Sequence, residues 1–343
     1  EGVIDSNESD GSFFVDSNST VSITLDDLYG GGYGNAFQFS AVGINWGGDR
    51  GLIAGGQLSV SPTYTQVIDY VDISSPGNAS NFGNIGSNLD YSAGLSDASR
   101  GVYGGGSVND TTRISTIYYV TTSTTGNAST FGSLQSGRMG LSSASDGTKG
   151  YFMGGARPDF ATVNSIEYIT IQTTGNATDG ADLSAARNSA HAWNDATRSL
   201  IMGGSNGSGT TYNSVDYYTM GSNTNAADFG DLSQQRWHGG SGGDATYALH
   251  FGGYDQNSAI QNTIDYFTIQ TTGNASDFGD LTGNTINAAG ASNGTYTIAA
   301  GGGSSTAKNS IDYVTVASPG NATDFGDLTS ARQFATGLSG NAA

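Results

Sequence analysis

Histidines are the first residues to consider, because imidazole binds metal ions and transfers protons near neutral pH. The chain has three, His191, His238 and His250. His191 and His238 lie about one period apart in the repeat described below, so both are expected to approach a common channel. A zinc site needs further ligands, and none is evident. We therefore interpret these histidines as channel-lining or packed residues, and predict no metal and no cofactor.

Paired aspartates recur at a fixed spacing and offer oxygen ligands for Ca²⁺. The pairs are Asp228/Asp231, Asp277/Asp280 and Asp324/Asp327. Their spacing does not match an EF-hand loop, and Asp commonly closes tight turns by bonding to its own backbone. Turn capping is the favoured interpretation, and calcium binding stays open as the alternative.

Asn-x-Ser/Thr sequons occur ten times, but five of them belong to one repeated "GNAS/T" turn. Those five asparagines are Asn78, Asn127, Asn176, Asn274 and Asn321. Glycosylation would require passage through a secretory pathway, whereas Asn after Gly is good turn chemistry by itself. Turn formation is the favoured interpretation, with glycosylation of these five sites as the alternative.

Composition excludes several classes of chemistry and partner. Without cysteine the chain has no disulfide, no thiolate metal ligand and no Cys nucleophile. The net charge of −19 repels phosphate backbones and anionic membranes, so we predict no nucleic-acid partner. No apolar run approaches the roughly 18 residues of a membrane span, which predicts no membrane insertion. The chain starts at Glu1 with no visible signal peptide, which leaves room for a removed leader or a larger parent.

Four landmarks recur every 47 to 50 residues and define an internal repeat. They are an apolar stretch ending in Gly-Gly, an "IDY" strand, the "GNAS/T" turn and a "DFGDL" motif. Six copies are clear, and a degenerate seventh at the start keeps the apolar pair Val3-Ile4. We predict a single domain over residues 1–343 with seven copies, which start near residues 1, 50, 100, 149, 198, 247 and 296.

Each copy contains four short strands, which is typical of a propeller blade. The first strand of a copy has small residues, as in "LSSAS" and "GGSGG", and is expected to crowd around a central channel. Each Gly pair allows positive φ and close approach of backbones where blades meet. The chain starts at the second strand of a blade and ends with a first strand. We therefore predict an all-β, seven-bladed propeller whose last blade is closed by both termini.

The pattern resembles the kelch repeat. The shared features are the Gly-Gly strand, the Tyr-bearing strand and an Arg that opens the next copy, present at Arg138, Arg187, Arg236 and Arg332. The fourth strand carries Phe, as at Phe229, where kelch repeats usually carry Trp. The wording "IDYVTIxTTGNATDFGDLTxAR" is also similar to repeats in structural and tail-associated proteins of marine tailed phages, cyanophages especially.

Enzymatic propellers do not fit the sequence. Copper oxidases of the galactose-oxidase type need a Tyr cross-linked to Cys, which this chain lacks. Sialidase-like propellers carry Asp boxes, and Ser145-Asp146-Gly147-Thr148 has the wrong spacing for one. We therefore expect a protein that is not an enzyme.

The loop after Gly-Gly varies while its surroundings repeat, and loops on a rigid scaffold often carry binding residues. Tyr and Arg are common binding anchors. The candidate binding residues in these loops are Tyr64, Arg113, Arg157, Tyr212 and Tyr254. Unconstrained loop drift is the alternative interpretation.

The resemblance to phage repeats, the acidity and the lack of a catalytic constellation together favour a virion structural or adhesion protein. We expect a tail-fibre, appendage or capsid-surface component that binds a host surface or another virion protein through its face loops. Its partner would be a protein or a surface glycan, within a larger multi-subunit assembly. The alternative is a secreted bacterial cell-surface or extracellular-fibre module that binds glycans or proteins.

Overall fold

The computed structural model of the chain describes residues 48–59, 63–109, 111–304 and 306–342. These residues form six four-stranded antiparallel sheets and two two-stranded ladders. Each sheet is one blade of a β-propeller, and the blades are numbered 1 to 6 in the order of their second strands. In this part of the chain no helix is long and apolar enough to cross a membrane.

The strands of each blade are named here from the inside outwards. The inner strands of blades 1 to 6 are Thr336–Gly340, Ala93–Ser96, Ser142–Ser145, His191–Asn194, Gly240–Gly243 and Ala289–Ser292. The second strands are Arg50–Ala54, Arg100–Gly104, Lys149–Met153, Arg198–Met202, Tyr247–Phe251 and Tyr296–Ala300. The third strands are Val67–Asp72, Thr116–Thr121, Ser165–Thr170, Ser214–Thr219, Thr263–Thr268 and Ser310–Thr315. The outer strands are Ser80–Asn84, Ser129–Ser133, Thr178–Asp182, Ala227–Asp231, Ser276–Asp280 and Thr323–Asp327.

The apolar residues of the second and third strands form the core between blades. In the second strand four consecutive residues are buried, because both faces of this strand are covered by neighbouring blades. The Tyr of the third strand meets the Phe of the outer strand edge-to-face, as in Tyr217 and Phe229 with ring centroids 6.2 Å apart. Each fully buried side chain of this kind contributes about 1.5–3 kcal/mol.

Small residues on the inner strands allow the blades to approach each other closely. A Cβ atom on Gly290 would lie 1.8 Å from the carbonyl oxygen of Ser241 in the neighbouring blade. Serine hydroxyls bridge from one inner strand to the next: Ser143 Oγ donates to Gly94 O at 2.7 Å, and Ser241 Oγ donates to Ala192 O at 2.8 Å. The predicted crowding of small residues around the axis is therefore confirmed.

The residue two positions after each repeat's Arg position, just before the inner strand, takes part in a closed hydrogen-bond ring. Each backbone N–H donates to the carbonyl of the equivalent residue in the preceding blade, over 2.7 to 3.3 Å. The six members are Tyr91, Gly140, Ser189, His238, Asn287 and Phe334. All six have φ between 51° and 66°. The sixth bond, from Tyr91 N to Phe334 O, closes the ring after six blades.

The blade that joins the two ends of the described chain is blade 1. Its inner strand Thr336–Gly340 pairs with Arg50–Ala54, with Leu338 opposite Leu52. Closure by strands from both ends is thus confirmed, but the partner strand lies one repeat later than the predicted residues 1–7. The described residues form a ring of six blades, one fewer than the seven predicted. The predicted first copy lies outside the described residues, apart from its last positions.

Candidate binding face

All six variable loops lie on one face of the propeller, beside the hydrogen-bond ring. In every blade, the residue after Gly-Gly pairs with the residue that precedes the ring member. Four pairs are bridges, as in Ser107 with Asp90. The other two are short ladders, Gln57–Leu58 with Arg332–Gln333 and Tyr254–Asp255 with Arg236–Trp237. This face, which carries the loops and the ring, is called the loop face below.

The Gly pair sets the direction in which each variable loop leaves the second strand. Gly55 and Gly56 have φ of 67° and 107°, a region that side chains disfavour. A Cβ atom on Gly55 would lie 2.1 Å from Leu89 O in the segment that leads to the next blade. Both predicted reasons for the Gly pair, positive φ and close backbone approach, are therefore confirmed.

The central channel runs between the six inner strands and contains a cavity of about 130 Å³. Its wall consists mostly of Ser, Ala and Gly, with His191, Trp193 and Asn194 as the larger polar members. At the loop face a second cavity of about 60 Å³ lies among ring members and the residues that lead from them into the inner strands. The channel thus meets the loop face at a small recess.

Aromatic rings surround this recess. Tyr91 stacks on Phe334 with centroids 4.1 Å apart, although the two residues belong to different blades. His238 contacts both of them edge-on, at 5.6 and 5.9 Å. Trp237 and Tyr254 extend the cluster outwards, with their centroids 5.5 Å apart. These five side chains, all only partly buried, are called the aromatic mouth.

Polar atoms inside the mouth are not fully satisfied. His238 Nδ1 lies 2.6 Å from Asn287 Oδ1, so the amide holds the imidazole in place. Asn287 Nδ2 and His191 Nε2 are buried and have no hydrogen-bond partner among the described residues. Both residues line the smaller cavity. A ligand or water molecule in the recess could form hydrogen bonds with these two nitrogen atoms.

The three histidines converge near the channel but do not form a metal site. The rings of His191 and His250 are 5.9 Å apart. Burial, and to a lesser extent the nearby His238, together lower the pKa of His191 to about 3. Burial also lowers the pKa of His238 to about 4, although the hydrogen bond that its Nδ1 donates to Asn287 Oδ1 acts in the opposite direction. Among the described residues no group of three or more His, Asp or Glu side chains is placed to hold a metal ion.

The structure places the five candidate binding residues in different surroundings. Tyr254 belongs to the aromatic mouth. The guanidinium of Arg187 lies over the ring of Tyr212, with its central carbon 4.9 Å from the ring centroid. Tyr64 is partly buried and forms a bridge with Gln57 at the base of its loop. Arg157 is exposed at the start of the blade 3 loop.

Arg113 has the least expected surroundings of the five. Only 6% of the residue is exposed, and its guanidinium lies 4.1 Å from the ring centroid of Phe160 in the blade 3 loop. None of its three guanidinium nitrogens has a hydrogen-bond partner among the described residues. Desolvation lowers the pKa of Arg113, while the charge of Asp159 raises it.

The asparagines of the "GNAS/T" turn are exposed and tie neighbouring blades together. Asn274 Oδ1 accepts the backbone N–H of Asp231 at 3.0 Å, and the equivalent bond recurs at all six junctions. Gly273 N and Ala275 N donate to the same outer strand, at Phe229 O and Asp231 O. The turn therefore covers the edge of the preceding blade's sheet, which would otherwise be open to pairing. Glycosylation of these sites stays the alternative interpretation.

The acidic groups that matter most for the fold are the aspartates of the "IDY" strands, which sequence reasoning did not single out. Three of them, and the Glu that takes their place in blade 3, form buried ion pairs with the repeat arginines. The pairs are Arg138–Glu167, Arg187–Asp216, Arg236–Asp265 and Arg332–Asp69. The outer-strand pairs such as Asp228/Asp231 lie instead at the rim, partly or fully exposed.

The aromatic mouth also contains residues that sequence reasoning missed. Tyr91, Trp237 and Phe334 were not singled out, because these positions share a place in the blade and not a residue type. Their signal was positional: Tyr91 and Phe334 lie two residues after the repeat's Arg position, and Trp237 lies one residue after Arg236. Together the fold and this face define a β-propeller with a loop-bearing face and an aromatic channel mouth. No protein-family model matches the chain, and no curated protein matches it either.

Proposed function

We propose that this chain is a kelch-like propeller that works as a binding component of a virion, and not as an enzyme. Its role is structural or adhesive: the loop face contacts a host surface or another virion protein. The location on a particle is supported by the resemblance of the repeat to those of marine phage structural proteins.

The aromatic mouth is the observation that supports binding at the loop face. Partly buried Trp and Tyr side chains give large contact area at low entropic cost, and they dominate many binding surfaces. Here Trp237, Tyr254, Tyr91 and Phe334 gather around one recess, bordered by loops that differ from blade to blade. A rigid ring with variable loops suits recognition better than turnover.

The location is tested by mass spectrometry and cryo-EM of purified virus particles from the source. The proposal expects the propeller at a fixed stoichiometry on a capsid or tail. Its presence in cell-surface or matrix fractions instead, with none on particles, would favour the secreted bacterial module and overturn the virion role.

The binding face is tested with a double variant whose two new residues occur naturally at the equivalent positions of another blade. Trp237→Asn with Tyr254→Ser copies the equivalent pair Asn188 and Ser205 of blade 4, so the ladder can still form. We expect it to reduce binding of the purified protein to host-envelope or virion fractions by about tenfold or more. Thr130→Ala, on the exposed outer strand of blade 2, is the control and should bind normally.

A further inference from the structure

The basic residues of this acidic chain are almost all engaged in structural contacts. Eleven are present, and none precedes Arg50. Four arginines form the buried ion pairs. Four more cations lie over tyrosine rings at the ends of the second strands opposite the loop face: Arg50, Arg100, Lys149 and Arg198. Lys308 donates to Asn284 O and Thr285 Oγ1. The two that remain are Arg113 and Arg157.

These two arginines belong to the loops of adjacent blades, and Phe160 connects them. Arg157 and Phe160 share one turn, in which Phe160 N donates to Arg157 O at 2.9 Å. The ring of Phe160 then covers the guanidinium of Arg113 from blade 2. Asp159 in the same turn contributes a negative charge, but its Oδ1 accepts the backbone N–H of Ala161 at 3.1 Å.

This arrangement is costly in the unbound protein. A guanidinium that loses water without gaining a hydrogen-bond partner is destabilising, and the cation–π contact with Phe160 replaces only part of that loss. Phe160 itself is 67% exposed and has φ of 66°, which is uncommon for an aromatic residue. Two unfavourable features at one place point to a site that is completed by a ligand.

Carboxylate is the group that fits best. A planar guanidinium with free N–H groups binds a carboxylate through two parallel hydrogen bonds. Phe160 has to move aside to admit it, and its ring then lies next to the bound group. Arg157 supplies a second positive charge from the same turn.

The surroundings favour a sugar over a protein as the carrier of this carboxylate. Protein interfaces centre on clusters of large apolar side chains, and the cluster of that kind on the loop face is the aromatic mouth, which does not include Phe160. Within the described ranges Phe160 is the one large hydrophobic residue that is strongly exposed. The neighbouring loops are rich in Ser, Thr and Asn, which suit sugar hydroxyls.

We propose that Arg113, Arg157 and Phe160 form a binding site for the carboxylate of an acidic sugar on a surface glycan. Arg113 pairs with the carboxylate once Phe160 swings away, and the Phe160 ring packs against the sugar. This assignment rests on the proposed binding role of the loop face and names the chemistry that the face selects.

Titration with small probes tests the site on the whole protein. Glucuronate should bind at least about tenfold more tightly than glucose in calorimetry or ligand-observed NMR, since hydrogen bonds to a charged group are strong. Arg113→Thr, which copies the equivalent Thr162 and Thr211, should remove that preference while the protein stays folded. Arg157→Ala should weaken it in part. Arg198→Gln removes one positive charge from the opposite face and should leave it unchanged.

The covering role of Phe160 has its own readout. Phe160→Ala should tighten binding of acetate, which has no ring face to lose, because the guanidinium is uncovered. Equal affinity for glucuronate and glucose in the wild type, or an unchanged preference in Arg113→Thr, would overturn the site. Tighter binding of a capped glutamate peptide than of glucuronate would overturn the sugar assignment. Whatever the outcome, binding of the Trp237→Asn/Tyr254→Ser variant to host-envelope or virion fractions tests the proposed function of the loop face independently of the sugar site.

Discussion

The three histidines near the channel should make this propeller sensitive to acid. His250 is fully buried and neither of its ring nitrogens has a hydrogen-bond partner among the described residues. Burial, Arg236 and His191 all lower its pKa. Together with His191 and His238 it forms a group of imidazoles that the fold holds in the neutral form.

Acid is therefore expected to destabilise the fold through these histidines. Their pKa falls from about 6.5 to about 3 for His191 and about 4 for His238 on folding. At a pH between the unfolded and the folded pKa of a histidine, the unfolded chain binds a proton that the folded chain does not. The free energy of unfolding is therefore highest above pH 6.5. It decreases as the pH falls, by up to about 1.4 kcal/mol per pH unit for each histidine. Urea unfolding at pH 7, 6, 5 and 4 measures this slope, and a flat profile would contradict it.

Replacing His250 by phenylalanine should stabilise the protein. The equivalent positions in four other blades are Ile53, Tyr103, Phe152 and Ile201, which are all buried. Phe removes two unsatisfied nitrogens and keeps a planar ring, although a somewhat larger one, for an expected gain of about 1–2 kcal/mol at pH 7. The same variant should also show a shallower loss of stability with acid. A lower unfolding midpoint than wild type at pH 7 would mean that His250 has an unseen partner.

At the scale of elements, buried ion pairs hold the segments that cross from one blade to the next. Asp69 accepts the N–H and the hydroxyl of Thr329, which follows the outer strand of blade 6. Arg332 then bonds Asp69 at 2.9 Å and the Val67 carbonyl at 3.1 Å. The junction between blades 1 and 2 has Leu89 and Tyr118 at the two equivalent positions, so the chain contains its own apolar version of the contact.

Breaking one pair should cost more than neutralising both partners. Arg332→Leu leaves Asp69 buried without its cation and is expected to lower the free energy of unfolding by about 3–5 kcal/mol. Adding Asp69→Asn removes the isolated charge and keeps an acceptor for Thr329, so the double variant should regain much of the loss. Urea midpoints with m-values compare the three proteins. A double variant as unstable as the single one would show that geometry matters here more than charge.

The strands and their recurring residues were predictable from the sequence, whereas the side-chain contacts between blades and between loops were not. Gly pairs, Tyr and Phe landmarks and small inner strands follow from period and residue type, because each blade buries them in the same way. The repeat Arg was visible in sequence as a landmark, but its partner Asp69 lay unnoticed inside the "IDY" motif. Arg113 was selected as a binding anchor in a variable loop, yet Phe160 covers it, a contact between two loops that share no repeat signal.

At the scale of the whole molecule, the number of blades expected from the repeat length differs from the number in the closed ring of the described residues. Equal division of the chain into periods of about 49 residues indicated seven blades. Blade number depends instead on which strand the last inner strand pairs with. Thr336–Gly340 pairs with Arg50–Ala54, and the Tyr91-to-Phe334 bond completes the ring.

Two truncations test this closure. A chain that starts at Gly48 keeps every contact of the six-bladed ring, so its free energy of unfolding should match that of the full chain within about 0.5 kcal/mol. A chain that ends at Phe334 loses the inner strand of blade 1, and with it the bonds to Arg50–Ala54 and to the inner strands on either side, so it should unfold far more readily or associate through its open edge. Differential scanning calorimetry and particle averages by electron microscopy measure both. A seven-bladed disc in the full chain, or the loss of folding on removal of residues 1–47, would instead assign those residues to the ring.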